Sequence, residues 1–358
     1  MTEQMTELVS RAEGVRFDEL ALATRNHGMP LEGMRYDITP IGMHYLLIHF
    51  DIPEVDASTW RLHVTGNVER ELELSVEDIR SRPATTMAVT LECAGNGRTA
   101  MDPRNISQPW GLEAIGTASW TGTPLRGILD ECGVRDGAVE VVFTGADRGF
   151  QDNVEHNYQR SLGLGECRRP ETLLAYEMNG SPLPPQHGFP LRLLVPGWYG
   201  MTSVKWLRDI EVVDRPFIGF QQTSAYRYQQ HNHDPGQPVS RIRVRALMIP
   251  PGIPDFQTRR RTVDAGAVTI RGRAWCGTAP VAGVEVGIDG VWQDARMSPA
   301  LAEFAWRGWS YGWDARPGEH LLSCRATDAD GGIQPAGSVW NLQGMGNNLM
   351  HSVAVTVR

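Results

Sequence analysis

The chain has no uninterrupted apolar stretch long enough to cross a bilayer as a helix, so a helical membrane span is not expected. It has no excess of basic residues either. Thirty-four Lys and Arg stand against 42 Asp and Glu, for a formal charge of −8, which argues against a nucleic-acid footprint. The first eight residues, Met1 to Leu8, contain no basic n-region, no apolar h-region and no twin arginine. On that reading no leader is present and a cytoplasmic protein is expected. Cysteines are few and scattered: Cys93, Cys132, Cys167, Cys276 and Cys324, with no Cys-x-x-Cys pair. An odd number without a leader argues against a disulfide framework and against a structural zinc site. The lack of Cys-x-x-Cys-His excludes covalently attached c-type haem on this chain.

What is present suits a globular protein of two domains. The chain has 358 residues, 41% of them hydrophobic and 21% charged, too long for one small core. One stretch organises the rest: Thr90-Leu91-Glu92-Cys93-Ala94-Gly95-Asn96-Gly97-Arg98. Met87-Ala88-Val89 before it reads as the end of a buried strand. Gly95 and Gly97 permit a tight turn and close backbone approach to a bound group. A single cysteine thus sits at a strand end with a cation five positions on. Free backbone N–H groups and a nearby cation favour the thiolate, which ligates soft metals or attacks electrophiles.

Leu91 to Arg98 resembles the molybdenum-ligating cysteine loop of the sulfite oxidase family of molybdopterin enzymes. The resemblance implies that the Cys93 thiolate joins the two dithiolene sulfurs of one molybdopterin on a molybdenum ion. It implies oxidation of sulfite to sulfate by oxo transfer at that centre. His-Pro-Gly-Gly, the haem phrase some relatives carry, is absent. Electrons would therefore leave to an external acceptor such as a c-type cytochrome.

The other family phrases follow in order. Arg25-Asn26-His27 matches a phrase that supplies a substrate-binding arginine and pterin-contacting residues. By spacing, the segment after Thr39-Pro40 is the better counterpart. There Tyr45 and His49 would contact the cofactor, and Leu47 replaces the arginine. Trp110 and Trp120 echo tryptophans that wall the family's site, and Glu113 stands where relatives have glycine. Thr144-Gly145-Ala146-Asp147 resembles a cofactor-contacting turn, with Asp147 as the contact. In His187-Gly188-Phe189-Pro190-Leu191-Arg192, the alternation of Leu191, Leu193 and Val195 turns Arg192 to the opposite face. His187, Arg192, Ser203, Val204 and Lys205 would cradle the terminal phosphate, the arginine as a fork and the lysine as a point charge. Tyr226 lies where the family keeps an active-site tyrosine, with Tyr228 as a rival. The candidate catalytic set is Cys93, Arg98, Tyr226 and Arg25.

Local patterns predict a helix over Ser10 to Thr24 and a strand over Trp60 to Gly66. Ser75 reads as the cap of a helix Val76 to Arg80, with Asp78 completing a capping box. A further helix over Leu125 to Cys132 should end at Gly133. His231 to Asp234 reads as a solvated linker, and the domain boundary falls near 235. Beyond it, about seven short strands and the Asp289-Gly290 hairpin pair point to an immunoglobulin-like sandwich. The expected class is α+β: a catalytic domain over 1–234, then a sandwich over 235–358 that resembles the family's homodimerisation domain. Gln343 appears there where some relatives carry an active-site arginine. The missing arginines at Leu47 and Gln343 leave a sulfane dehydrogenase or a sulfoxide reductase open. From other classes, Cys93 could serve as a hydrolase nucleophile with His187 as base, or the sandwich as a binding module.

Overall fold

The computed structural model describes residues 7–358; residues 1–6, within the stretch read above for a leader, lie outside the described residues. Two five-stranded sheets form the N-terminal half. In the first, Thr85–Glu92 pairs with Ile115–Pro124, which pairs with Leu173–Met178; the short strands Ser181–Pro182 and Arg192–Leu194 also join Leu173–Met178. In the second, Leu62–Gly66 sits between Leu72–Leu74 and Leu207–Val213, and Glu140–Gln151 with Val154–Gly163 complete the sheet. Its one parallel pair joins Leu62–Gly66 to Leu207–Val213.

The alternation read for Leu191, Leu193 and Val195 holds. All three enter the main core, while Leu194 enters a second cluster with Leu91 and Trp120. The capping box at Ser75 is made as expected: the Ser75 hydroxyl accepts from the Asp78 amide at 3.1 Å and the Asp78 carboxylate accepts the Ser75 N–H at 2.9 Å. Leu125–Cys132 is a helix that stops at Gly133, which takes φ 68°.

The expected mixture of helix and strand is present in part. The fold is mostly β, and among the described residues the longest helix is the eight-residue Leu125–Cys132. Over Ser10 to Thr24 the α-helix spans only Phe17–Ala23. Phe17 and Leu20, apolar residues at helix spacing, are exposed, and the buried side chain is Glu19, paired with Arg104. Thr144 to Asp147 is a bulge inside the strand Glu140–Gln151 rather than a loop. The Asn157 amide nitrogen donates to the carbonyls of Gly145 and Asp147 and holds the bulge open.

The C-terminal half is two packed sheets. Arg245–Ile249, Gly266–Trp275, Arg307–Ala315 and Arg296–Met297 form one in that order. The other runs Ile253–Pro254, Arg261–Val263, His351–Val357, Gly318–Asp328, Val281–Ile288 and Val291–Asp294. The hairpin at Asp289-Gly290 has positive φ at both residues, as a type I′ turn requires. Their shared core includes Val286, Trp309, Cys324 and Val355. All five cysteines are free thiols. The main core does not stop at residue 235: Leu247, Trp275, Trp306 and Met345 pack with Leu62, Tyr199 and Val204. Among the described residues no helix is long and apolar enough to cross a membrane.

Candidate active site

The strand Thr85–Glu92 delivers Cys93 to the junction of two cavities. The first is lined by His44, Tyr45, His49, Asp147, His187, Arg192, Ser203 and Lys205. The second is lined by Arg25, Arg98, Trp110, Phe150 and Gln108 among others. Leu47, His49, Cys93 and Tyr226 border both. Cys93 is 7% exposed, and its amide donates to the Ala114 carbonyl at 2.9 Å. Burial pushes its thiol up, while the Gly95 N–H, the Arg98 guanidinium and the Trp110 indole pull it back.

Cations in the first cavity have few anionic neighbours. Arg192 is buried; it donates to the carbonyls of His187 and Ser203 at 3.1 Å each, and its Nε has no partner. Its face rests on Trp120 at 4.9 Å. Burial lowers its pKa to about 10. Lys205 donates to the carbonyls of Leu47 and Gln186 at 2.8 and 3.0 Å. Burial, and then Arg192, lower it to about 7. Burial also raises Asp147 to about 7, opposed by Lys205. His187 is held near 2 by burial and by the cations and histidines around it. The Ser203 hydroxyl accepts from the Val195 amide at 3.1 Å, which leaves its own proton to donate.

In the second cavity Arg98 is 4% exposed. It donates to the Gln108 carbonyl at 2.9 Å and the Met345 sulfur at 3.6 Å, and its Nε is unpartnered. Its side chain fits because Gly95 and Gly344 lack side chains; a Cβ at Gly95 would lie 2.6 Å from the guanidinium, and one at Gly344 2.7 Å from Cγ. Tyr226 takes φ 57° and is buried, which raises its pKa to about 12. Gln343 fixes that turn, accepting from the Arg227 amide at 3.1 Å and donating to the Ser224 carbonyl at 2.9 Å.

Three expectations are not brought together with the rest. His27 is exposed and lines neither cavity; its backbone N–H and carbonyl pair with Leu46. Val204 lies in the core and its amide is spent on the Thr202 carbonyl. Asn26 reaches the second cavity wall, but its amide is fully engaged. It donates to Leu22 and Gln108 and accepts from the Ile48 amide at 2.7 Å, so it clips Leu47-Ile48 in place. Arg25 sits exposed at the rim of the second cavity. The main omission from the sequence reading is His44. It is 2% exposed, lines the first cavity, and its Nε2 is without a partner. Tyr158 lines the same cavity, donating to the Met201 carbonyl at 2.7 Å. Neither carried a phrase of its own to mark it.

Comparisons with known proteins decide the family. The oxidoreductase molybdopterin binding domain matches residues 49–221, and the Mo-co oxidoreductase dimerisation domain matches 242–358. The chain belongs to the sulfite oxidase family of molybdopterin-dependent oxidoreductases. Mouse mitochondrial sulfite oxidase is 34% identical over 348 residues, covering 89% of this chain and 62% of that protein. The chain thus spans less than two thirds of the mammalian relatives' length. An NADH nitrate reductase of Ulva prolifera is 30% identical over 350 residues, covering 87% of this chain and 40% of that protein. Among solved structures, the sulfane dehydrogenase SoxCD of Paracoccus pantotrophus aligns with a TM-score of 0.79 and 26% identity, over 92% of this chain and 86% of that one.

Membership in the sulfite oxidase family brings a molybdenum cofactor. The first cavity suits it on its own evidence. A soft thiol at its edge, a buried and a half-buried cation (Arg192 and Lys205) without a full complement of anions, and unpartnered nitrogens on Arg192 and His44 match a metal held by sulfur and an anionic, hydrogen-bonding organic ligand.

Proposed function

We propose that the protein oxidises sulfite to sulfate and passes the electrons to an external one-electron acceptor such as a c-type cytochrome. One observation carries the reading. The second cavity opens onto the Cys93 sulfur, is lined by Arg98 and Arg25, and has no carboxylate among its described lining residues. A small dianion is attracted there and a cation is repelled. Sulfite and water give sulfate, two protons and two electrons.

Cys93 would hold the metal, with Tyr45, His44, His49 and Asp147 against the pterin and His187, Arg192, Ser203 and Lys205 around its phosphate. When bound, the molybdenum cofactor supplies a two-electron redox centre that exchanges an oxygen atom with substrate. The chain does the rest. Arg98, buried and already relieved of water, donates to substrate oxygens at little further cost of reorganisation. Tyr226, held protonated by burial, donates its O–H into the same space. Leu47, Trp110 and Phe150 keep the walls apolar and strengthen both contacts. The C-terminal half would pair two copies into a homodimer, and its two sheets would have the immunoglobulin-like topology. The boundary between the units is set near 235.

A second reading, sulfane dehydrogenase, draws on the structural likeness to SoxCD and on Leu47 and Gln343 standing where arginines were expected. A hydrolase with His187 as base fares worse: a histidine held near 2 is too weak a base for a thiol pushed up by burial. Steady-state assays of the metal-loaded protein with sulfite, a thiosulfate-derived sulfane and methionine sulfoxide separate the readings. Sulfite should give the highest kcat/KM; preference for either alternative substrate overturns the assignment.

A further inference from the structure

A strand turns successive side chains to opposite faces. In Thr85–Glu92, Leu91 faces the first cavity, and Cys93, two residues on, ends between the cavities. Thr90 and Glu92 take the other face, where the C-terminal half lies. The Thr90 hydroxyl accepts the Trp306 amide at 2.7 Å. Glu92, adjacent to Cys93, is completely buried. A buried carboxylate without partners takes up a proton or draws its segment toward water. Glu92 has three partners. The Asn96 amide donates to Oε1 at 3.0 Å, Arg245 Nε lies 2.9 Å from the same oxygen, and the Trp275 indole donates to Oε2 at 2.8 Å.

Two of those three come from the C-terminal half, and the same half grips the rest of the loop. Arg245 is 1% exposed and also donates to the carbonyls of Asn96 and Asn347. The Gly346 amide donates to the Ala94 carbonyl at 2.6 Å, and the Asn347 side chain to the Gly97 carbonyl at 2.8 Å. Asn96, held by Glu92, accepts from the Ala114 amide at 3.1 Å, next to the carbonyl that receives the Cys93 N–H. The loop bearing the thiol is thus fixed by hydrogen bonds that cross between the two halves.

We propose that Arg245 and Trp275 are positioning residues for the Cys93 sulfur, acting through the buried Glu92 carboxylate. The C-terminal half, beyond any part in pairing subunits, is then one wall of the metal-ligand loop. This rests on Cys93 being the protein ligand to the metal. Partners of that kind, one step behind a metal ligand, typically change affinity or activity about 10- to 100-fold when removed.

The test uses full-length Trp275→Phe, Arg245→Met and the double variant Glu92→Gln/Arg245→Met. Three quantities are read: turnover per bound molybdenum, melting temperature, and the iodoacetamide alkylation rate of Cys93 in cofactor-free protein, followed by peptide mass spectrometry. Trp275→Phe keeps an aromatic ring in the core but loses the N–H together with part of the indole, so the melting temperature reads its packing loss separately from alkylation and turnover. Both single variants should lose about 10- to 100-fold in turnover per metal, and Cys93 alkylation should quicken. The double variant removes both charges and should regain the melting temperature while alkylation stays fast. Wild-type alkylation and turnover in the single variants overturn the proposal. So does full recovery of alkylation and turnover in the double variant, which makes the pair merely structural. A Cys93→Ser chain that keeps stoichiometric metal and turnover sinks the ligand assignment itself, independently of Arg245.

Discussion

Arg98 occupies a slot that two glycines leave open, with its chain crossing Gly344 and its guanidinium over Gly95. Its protein partners are a carbonyl and a thioether, so the charge is uncompensated by any carboxylate among its described contacts. A group in that state is poised for an anion. Replacement by Met, of similar length, should lower kcat/KM for sulfite by about 100-fold. Arg25 is exposed at the rim, where charge is screened, and Arg25→Ala should cost less than about 5-fold. Equal effects of the two in steady-state assays would show that Arg98 is not the main anion contact. The phrase around Cys93 and Arg98 was legible because both residues fall in one unbroken loop. His44 was not, although it lies inside a segment singled out for Tyr45 and His49. That segment follows no regular strand, so no periodicity tells which of its side chains turns inward. Asn26 misled for another reason: a motif match cannot distinguish an amide that faces a ligand from one spent on Leu22, Gln108 and Ile48.

At the level of elements, the sequence was readable where the signal is local. The Ser75 cap is an example, since all its partners lie within three residues. Ser75→Ala should destabilise the protein by about 1 kcal/mol, measured by denaturant unfolding; no change would mean the helix Val76–Arg80 is held by packing alone. The hairpin at Asp289-Gly290 is similarly local, and it carries a pH dependence. The His320 imidazole lies 2.7 Å from the Asp289 carboxylate and its other nitrogen 2.8 Å from the Arg316 carbonyl. The hydrogen bond to Asp289 raises the His320 pKa above its usual value. Folding therefore favours the protonated ring. That stabilisation is complete below the unfolded histidine pKa and is lost as pH rises through the higher folded value. The melting temperature of His320→Gln should fall below wild type at pH 5.5, and the gap should shrink by pH 9. A gap that widens with pH would reverse the sign of the linkage. The stretch Ser10 to Thr24 failed as a helix reading because its anchor is not local. Phe17 and Leu20 stay in solvent, while Glu19 is drawn inward by Arg104, 85 residues away.

On the scale of the molecule, the main core runs through both halves while the C-terminal sheets enclose a second core of their own, and the proposed boundary near 235 is a change of sequence pattern rather than a break in packing. Trp275 and Trp306, which fall within the stretch expected to form the sandwich, pack with Leu62 and Tyr199 of the first half. Periodicity within a strand cannot reveal that, since it reports which face is apolar and not what covers it. The same packing brings the cation-lined cavities to either side of one sulfur. The most direct measurement is molybdenum-edge X-ray absorption on the purified wild-type protein and on Cys93→Ser, counting sulfur neighbours of the metal. Three in the wild type and two in the variant are expected, one from residue 93 and two from the pterin. An equal count in both proteins would mean that the metal is held elsewhere.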